Sequence, residues 1–440
     1  MQCAVAFLLL LPLMFSKPEN GKRINIALPS VYNGDEPHYL IMMNSLVCDG
    51  DLDLKNNYLA VHEGAAQAGK RFAGTPIGHH TYWYVNGKYY TWWDEFGVLW
   101  RPDKSGHLLP QAADTALCAQ LVELPEYSVH PPGLALVMAP ALYPFRNSKP
   151  FESVAMIYAG LIMLAAMFFF RVMLRAYTND ARTKTLLCAA IFLGSPLWYY
   201  ARALFSEGTM TLLAVAAYAL YISKMKTILP GILIGIGMLF KPVFMVLAIP
   251  LAFDLARNKK WGGVCRLCAG VLLGTGAFLL LNYRMNGSIF KAMQPFILGN
   301  TVYGVWGLLT DGKRGLLMLC PSLIAALALW PECIRKFGRA AWLPASGALL
   351  YVIVVATYGA WRGGDSYGPR YLVPVVPFIL LPLFLFVGRP IRLGALKMGL
   401  GVFLIITSVF INANAAIASW KFIDRNPLVE ACIKVGKMLY

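Results

Sequence analysis

The sequence predicts an all-α polytopic membrane protein with about eleven transmembrane helices. Of its 440 residues, 58% are hydrophobic and only 14% are charged, and the mean hydropathy is +0.57. Its long apolar runs are almost free of charge, which the core of a soluble protein does not need. Most cations fall in short gaps between these runs, as the positive-inside rule predicts for membrane proteins.

The apolar runs predict the spans in chain order. A spanning helix needs about 20 mostly apolar residues. Runs of nearly this length lie at residues 3–16, 151–171, 185–201, 203–223, 262–283, 314–331, 341–360, 370–388 and 398–414.

One further run, residues 227–255, is broken at Phe240-Lys241-Pro242. Cations flank both of its ends, so both ends belong on the same side of the membrane. The run must therefore cross the bilayer an even number of times. We predict two short helices that meet near Lys241.

Placing the N-terminus inside the cell puts the main cation clusters in the cytoplasm. These clusters are Arg171/Arg175/Arg182/Lys184, Arg335/Lys336/Arg339 and Arg389/Arg392/Lys397. The predicted organisation is a first transmembrane helix at 1–16, a large external loop at 17–150, a multi-span domain at 151–414 and an external tail at 415–440. The protein then belongs in the cell membrane, the plasma or inner membrane, with its large loop facing the outside or the periplasm.

The first run also resembles a signal peptide, which is the competing interpretation. It has no cationic segment before it, and residues 12–17 offer no small-residue cleavage site. We therefore expect an uncleaved first span.

The large loop contains its own structural signals. Tyr82-Trp83-Tyr84-Val85-Asn86-Gly87-Lys88-Tyr89-Tyr90-Thr91 places an Asn-Gly turn between aromatic arms, which predicts a small β-hairpin. Residues 133–145 are apolar but short and bounded by prolines, so we expect an interfacial or re-entrant helix there.

Charge and cysteine content exclude other classes. The formal net charge is +17, but the positions of the cations are explained by topology, so a nucleic-acid partner is not expected. The nine cysteines lie mostly in apolar runs, where a thiol packs as a small hydrophobe. The spacing of Cys265 and Cys268 is a weak metal signal. Cys48 and Cys118 share the external loop, and the sequence does not decide whether they pair.

Four polar motifs fall on the predicted external face. They are Asp35-Glu36-Pro37-His38-Tyr39 after the first run, His130-Pro131-Pro132 at the end of the large loop, the glycine-rich segment from Trp361 to Tyr371, and Gly315-Leu316-Leu317 followed by Pro321. In this order they resemble the motifs of the GT-C superfamily of integral-membrane glycosyltransferases. The similarity is to the branch with protein O-mannosyltransferases and the aminoarabinose transferases of lipid A, and it extends over nearly the whole chain.

The resemblance implies a GT-C fold, a polyprenyl-phosphate sugar donor, inversion at the anomeric carbon and a carboxylate general base. It makes residues 17–150 a catalytic loop. A hydroxyl is a poor nucleophile, so a carboxylate within hydrogen-bond reach contributes substantially to the rate. We assign the base to Asp35, with Glu36 as the alternative or as a residue that orients Asp35.

Cations on the external face are candidates for the donor phosphate. Arg370 and Arg362 lie in the glycine-rich segment, where a guanidinium fork suits phosphate oxygens, although interfacial arginines also simply reach water. Lys241, at the break of the helical pair, is a third candidate. The predicted substrate-binding residues are His38, Tyr39, His130, Asp365, Tyr367 and Glu207.

The sequence predicts no cofactor. His38, His79 and His80 with nearby acidic residues could build a divalent metal site, but no spacing is diagnostic, so a metal is not favoured.

The aminoarabinose branch carries Arg where His38 stands and Lys where His130 stands, which argues against lipid A as the acceptor. No β-trefoil domain accompanies the chain, which puts a protein acceptor in doubt.

Two function classes stay open. The first is a hexosyl- or pentosyltransferase that moves a sugar from a polyprenyl-phosphate donor to a hydroxyl of a glycan, lipid or protein. The alternative is a lipid-linked glycan flippase, transporter or polymerase. Transporters usually place charges at mid-membrane and show repeated halves, whereas this chain concentrates polar residues on one face, which favours the transferase. The sequence leaves the sugar, the acceptor, the pathway and the oligomeric state undetermined.

Overall fold

The structure, a computed structural model, is predominantly helical. It describes residues 1–15, 29, 31, 34–62, 79–92, 99–102, 108–110, 120–121, 123–148, 150–224, 226–290, 296–364, 366–388, 394–417 and 433. Its helices are α1 (Gln2–Leu10), α2 (Glu36–Cys48), α3 (Lys55–His62), α4 (Gly133–Leu142), α5 (Phe151–Met173), α6 (Ala181–Phe192), α7 (Leu197–Tyr200), α8 (Ser206–Ile222), α9 (Ile228–Gly237), α10 (Ala248–Arg257), α11 (Trp261–Asn286), α12 (Thr301–Thr310), α13 (Leu316–Leu319), α14 (Leu323–Phe337), α15 (Arg339–Ala356), α16 (Val376–Ile379), α17 (Leu383–Val387) and α18 (Ala395–Ile417).

Several helices have the length and composition of membrane spans. Within the described ranges, four segments meet both criteria, at Phe151–Ala176, Trp261–Asn286, Arg339–Ala356 and Ala395–Ile417. Five shorter apolar helices accompany them, at Gln2–Met14, Gly133–Phe145, Ser206–Ile222, Ile228–Gly237 and Arg370–Ile379. The all-α membrane architecture is confirmed, while the count of about eleven crossings stays a prediction.

Three runs read as single spans are subdivided in the structure. The run at 185–201 becomes α6 and α7, with Pro196 as the N-cap residue of α7. The run at 314–331 becomes α13 and α14, separated at Cys320-Pro321. The run at 370–388 becomes a 3₁₀ helix at Arg370–Val375 followed by α16 and α17. Prolines explain these breaks, because a proline lacks the backbone donor and clashes with the preceding turn.

The break near Lys241 is confirmed. Helix α9 ends at Gly237, a 3₁₀ helix covers Pro242–Leu247, and α10 continues from Ala248. Lys241 itself is extended, with φ −156° and ψ 126°, as expected for a residue before proline. Its side chain reaches Glu207 of α8.

The predicted hairpin is confirmed within a larger sheet. Strands β1 (Thr81–Val85) and β2 (Lys88–Trp92) pair antiparallel, with Tyr82 opposite Thr91. Asn86 and Gly87 both have positive φ, as a type I′ turn requires. Strands β3 (Leu99–Pro102), β4 (Leu108–Pro110) and β5 (Tyr127–Ser128) complete a sheet of order β4-β3-β2-β1-β5.

The predicted external loop packs onto the helical core. All residues of α2 except Leu46 and Cys48 are buried, and α2 packs on α4. One core cluster joins α2, α4 and the helices from α5 to α18. Cys48 is exposed, and Cys118 lies outside the described residues, so their pairing stays an open question.

Topology gives the first testable prediction. We expect Lys88, in the hairpin, and Arg182, in α6, to lie on opposite sides of the membrane, because the cation clusters fix α6 to the cytoplasmic side. Cysteine accessibility at each position in intact cells measures this. Labelling of both positions from the same side would contradict the orientation.

Candidate active site

The ends of several elements enclose a cavity of about 930 Å³. Asp35 at the start of α2, His130 before α4, Lys241 at the break after α9 and Arg370 all line it. Strands β1 and β2, the C-terminal end of α11 and the segment around Tyr358 form the remaining walls. Three of the four sequence motifs therefore meet at one cavity, together with the helix break at Lys241, whereas Gly315-Leu316-Leu317 and Pro321 are not among the residues that line it.

Asp35 owes its position to the start of α2. Gly34 has φ +66°, a left-handed conformation that glycine adopts without strain, and Pro37 lies in the first turn, where proline fits. Asp35 is the N-cap residue, but its side chain makes no capping hydrogen bond. Instead it reaches toward the cavity, and 21% of the side chain is exposed there.

Arg370 bridges two carboxylates. Its Nη2 donates to Asp35 Oδ2 at 2.5 Å, and its Nε donates to Glu207 Oε1 at 2.8 Å. The arginine side chain is 7% exposed, and the fixed fork of the guanidinium suits this double contact. The pair links the first motif to the glycine-rich segment, 335 residues away along the chain.

Lys241 adds a second cation to Glu207. Its Nζ donates to Glu207 Oε1, and the same Nζ lies 4.1 Å from the centre of the Tyr371 ring. Glu207 lies in the first turn of α8 and is fully buried. Glu207 is not among the described residues that line the cavity. In this geometry it positions Arg370 and Lys241, which do line the cavity.

The charge state of Asp35 follows from its neighbours. Burial alone would raise the pKa of its carboxyl, but His130 and Arg370 more than offset burial and hold that pKa well below the usual range. Burial lowers the pKa of His130, whereas the guanidinium of Arg370 is a permanent charge. Asp35 is therefore an ionised carboxylate beside the cavity.

His130 and Tyr39 lie next to Asp35, as the sequence predicted. His130 Nδ1 is 3.5 Å from Asp35 Oδ2, and the ring of Tyr39 is centred 5.6 Å from that of His130. The His130 amide donates to Ser128 Oγ at 3.0 Å. After the two prolines, Gly133 lets α4 start against the backbone of Leu239, where a Cβ would lie only 2.7 Å away. The His-Pro-Pro-Gly sequence thus fixes the histidine against the helix break.

Glu36, the residue after Asp35, contacts a different part of the protein. It is fully buried, and its Oε1 accepts the amide hydrogen of Leu204 at 2.9 Å. Because it does not line the cavity within the described part of the chain, the geometry favours Asp35 over Glu36 as the group that meets a substrate.

Glu36 is therefore expected to stabilise the fold. Glu36→Ala leaves the buried Leu204 amide without this acceptor, which costs about 1 to 3 kcal/mol and lowers the Tm in detergent. Glu36→Gln keeps an oxygen acceptor and should retain transfer activity. A Glu36→Gln protein with normal Tm and no transfer would instead make Glu36 the base.

Besides Glu36, Glu207 and His38, two described residues of the predicted site do not line the cavity. Arg362 is exposed, and its Nη2 donates to the Tyr303 hydroxyl on α12 at 3.1 Å, so its contact with a donor phosphate stays a prediction. Tyr367 is buried and donates to Asn412 on α18 at 3.1 Å, away from the cavity lining. Asp365 lies outside the described residues.

The structure also adds residues to the site. Tyr82 of β1 donates to Asn286 at the end of α11 at 3.0 Å, and both line the cavity. His80, just before β1, lines it as well and stacks on His38 with ring centres 4.2 Å apart. The hairpin signal pointed to this strand, but not to the side chains that face the cavity.

Comparison with solved structures identifies the architecture. ArnT from Cupriavidus metallidurans in the apo state matches with a TM-score of 0.50 and 12% identity, over 99% of this chain and 73% of that chain. ArnT is a GT-C glycosyltransferase. The protein has a GT-C fold. At this identity the likeness shows the fold alone, and with the apolar helices it makes the chain a multi-pass membrane protein.

Other comparisons give further findings. ArnT from the same organism bound to undecaprenyl phosphate matches with a TM-score of 0.48 and 14% identity, over 99% of this chain and 74% of that chain. A family model described as GPI transamidase subunit PIG-U matches residues 126–310, less than half of the chain. No curated protein matches. The PIG-U segment includes His130, Glu207 and Lys241 of the GT-C fold, but neither Asp35 nor Arg370.

Proposed function

We propose that this protein is an inverting glycosyltransferase that moves a sugar from a polyprenyl-phosphate donor to an acceptor hydroxyl. One observation carries the proposal. An ionised carboxylate, Asp35, and two cations, Arg370 and Lys241, line one cavity in a GT-C fold. This combination supplies a base for the acceptor and positive charge for the leaving phosphate.

The cavity also suits a lipid-linked substrate. Apolar side chains line the side formed by the helix break and α11, including Leu239, Phe240, Phe278 and Leu281. The polar side carries Asp35 and His130. An isoprenoid chain would lie along the apolar side, which places its phosphate near Arg370 and Lys241.

The transfer step balances without a further reactant. The acceptor oxygen forms a bond to the anomeric carbon on the face opposite the leaving group, while the bond from that carbon to the phosphate oxygen breaks. The acceptor proton passes to the Asp35 carboxylate, and the electron pair of the broken bond stays on the phosphate. The donor phosphate is a diester with one negative charge, and the released monoester carries roughly −1.5 to −2.

Donor binding and base strength are coupled in this scheme. In the structure Arg370 holds the pKa of Asp35 low, which weakens Asp35 as a base. A donor phosphate attracts the same guanidinium and draws charge away from the carboxylate. Asp35 then becomes more basic when the donor is in place, which limits the reaction to the loaded enzyme.

The match to the PIG-U family model favours a second candidate function. A protein of this fold that binds a lipid-linked glycan within a larger assembly, without transferring a sugar, would need the cavity but not a base. The matched segment, residues 126–310, lacks both Asp35 and Arg370. The two candidates therefore differ in whether Asp35 is required for a chemical step.

Mass spectrometry of surface glycans tests the proposal in cells. We expect a strain without the gene to lose one sugar from a glycan, lipid or protein on the external side, and wild-type protein to restore it. Restoration by Asp35→Asn protein at wild-type level would contradict the transferase and favour the binding role. The lost sugar and its carrier identify donor and acceptor.

A further inference from the structure

Three histidines from separate parts of the chain meet beside Asp35. His38 lies in α2, His80 precedes β1, and His130 precedes α4. One ring nitrogen from each lies within 4.8 Å of the other two. His38 and His130 are buried and His80 is half-buried.

The spacing of two of these nitrogens matches a metal site. His80 Nδ1 and His130 Nε2 are 3.4 Å apart. Two imidazole ligands of a tetrahedral zinc ion, each bound at about 2.0 to 2.1 Å, lie roughly 3.3 to 3.4 Å from each other. The separation of these two nitrogens is therefore that of two ligands of one zinc ion.

In His38 and His130, the second ring nitrogen, Nδ1, lies near an oxygen atom. His130 Nδ1 faces Asp35 Oδ2 at 3.5 Å, and His38 Nδ1 is 2.7 Å from the Tyr58 hydroxyl. Metal-bound histidines usually donate their second ring nitrogen to a carboxylate or another oxygen, which fixes the ring and the tautomer. With Nδ1 used in this way, His38 and His130 each present Nε2 toward the cluster. The carboxylate of Asp35 lies beside the cluster, where it supplies negative charge.

We propose that His38, His80 and His130 bind one divalent transition-metal ion of the zinc class. Three imidazoles with an open fourth position form the donor set of catalytic zinc sites. His80 and His130 line the cavity and His38 lies behind them, so the fourth position faces the cavity, where it takes an oxygen from water or from a substrate hydroxyl. This proposal replaces the expectation from the sequence that a metal is not favoured.

The competing explanation is a stack of neutral rings. His38 lies 4.2 Å from His80 and 5.0 Å from His130, centre to centre, and an N–H···N hydrogen bond would also account for the 3.4 Å contact. Stacking explains the packing without any ion. It predicts that the purified protein has no affinity for metal at this place.

The test is metal binding by the full-length protein in detergent, with Co²⁺ as a spectroscopic probe and Zn²⁺ as competitor. We expect about one equivalent of Co²⁺ with the intense visible absorption of tetrahedral coordination, displaced by Zn²⁺. His80→Gln should weaken binding beyond the roughly 10- to 100-fold typical for loss of an outer partner, and Tyr58→Phe should fall within that range.

His79→Gln is the matched control, because His79 stacks on Tyr58 and lies 2.9 Å from Glu126 but is not part of the three-histidine cluster. It should bind Co²⁺ as the wild type does. The Tm and the elution profile of each variant show that it is folded. Absence of the tetrahedral spectrum in folded wild-type protein, or equal binding by His80→Gln and His79→Gln, would overturn the proposal. Because the assay needs no turnover, its result is independent of the proposed transferase activity.

Discussion

Asp35→Asn is expected to abolish sugar transfer while the protein still folds and binds its donor. The substitution keeps the size of the side chain and an oxygen that accepts from Arg370, but it removes the basicity. Loss of a general base typically lowers the rate on the order of 100- to 10,000-fold. Turnover of a polyprenyl-phosphate sugar by purified protein measures the effect, with donor affinity determined in the absence of acceptor.

Glu36→Gln is the control for this experiment, since Glu36 is the adjacent acidic residue and faces the Leu204 amide instead of the cavity. It should lose far less activity than Asp35→Asn. Wild-type turnover by Asp35→Asn would eliminate Asp35 as the base. Loss of donor binding in the same variant would show that Asp35 acts on the donor site through Arg370.

Arg370→Ala should have the second large effect. The change leaves Asp35 and Glu207 without the guanidinium that joins them. Removal of one partner from a buried ion pair costs about 3 to 5 kcal/mol, so the Tm should fall. One charge-assisted contact to an ionised group contributes about 1.5 to 3 kcal/mol, so donor affinity should fall as well. Arg370→Lys should recover part of the stability, since it restores the charge without the fork.

Arg362→Ala provides the comparison within the same segment. Arg362 is exposed and contacts Tyr303, so its loss should change donor affinity and Tm little. Equal loss of donor binding in Arg362→Ala and Arg370→Ala would mean that both arginines contact the phosphate when the donor is bound. Normal donor binding in a folded Arg370→Ala protein would remove Arg370 from the phosphate site.

Much of this site was predictable because each motif is local in sequence. The order of the motifs and the outward position of their loops led to Asp35, Arg370, Lys241 and His130 at one face, and the structure places all four around one cavity. The broken run at residues 227–255 predicted that Lys241 lies at the site, since a charged residue between two apolar half-helices is costly in the membrane and usually functional.

The direction of each side chain was not predictable from the motifs. Adjacent residues at the start of a helix point roughly 100° apart, so the sequence alone could not decide between Asp35 and Glu36. In the glycine-rich segment, Arg362 contacts Tyr303 of α12, whereas Arg370 lies at the cavity. Between them the chain turns at three glycines with positive φ, Gly363, Gly364 and Gly368. Composition gives no information on such turns.

Long-range contacts explain the remaining difference between sequence and structure. His80 has no motif around it, and it joins His38 and His130 only because β1 pairs with β5 next to the His130 segment. The spacing of these histidines along the chain carries no metal signature. A local effect explains one other difference: hydropathy predicted one span at 370–388, whereas the prolines at 374, 377 and 382 divide it into short helices.

In the proposed mechanism, Asp35 and Arg370 act together in sugar transfer from a lipid phosphate. The decisive measurement uses purified protein incubated with a labelled polyprenyl-phosphate sugar and the acceptor found in cells. The proposed mechanism predicts one mole of free polyprenyl phosphate for each mole of sugar transferred, inverted configuration at the anomeric carbon, and neither product with Asp35→Asn. Retained configuration, or donor bound by the wild-type protein without any release of polyprenyl phosphate, would contradict it.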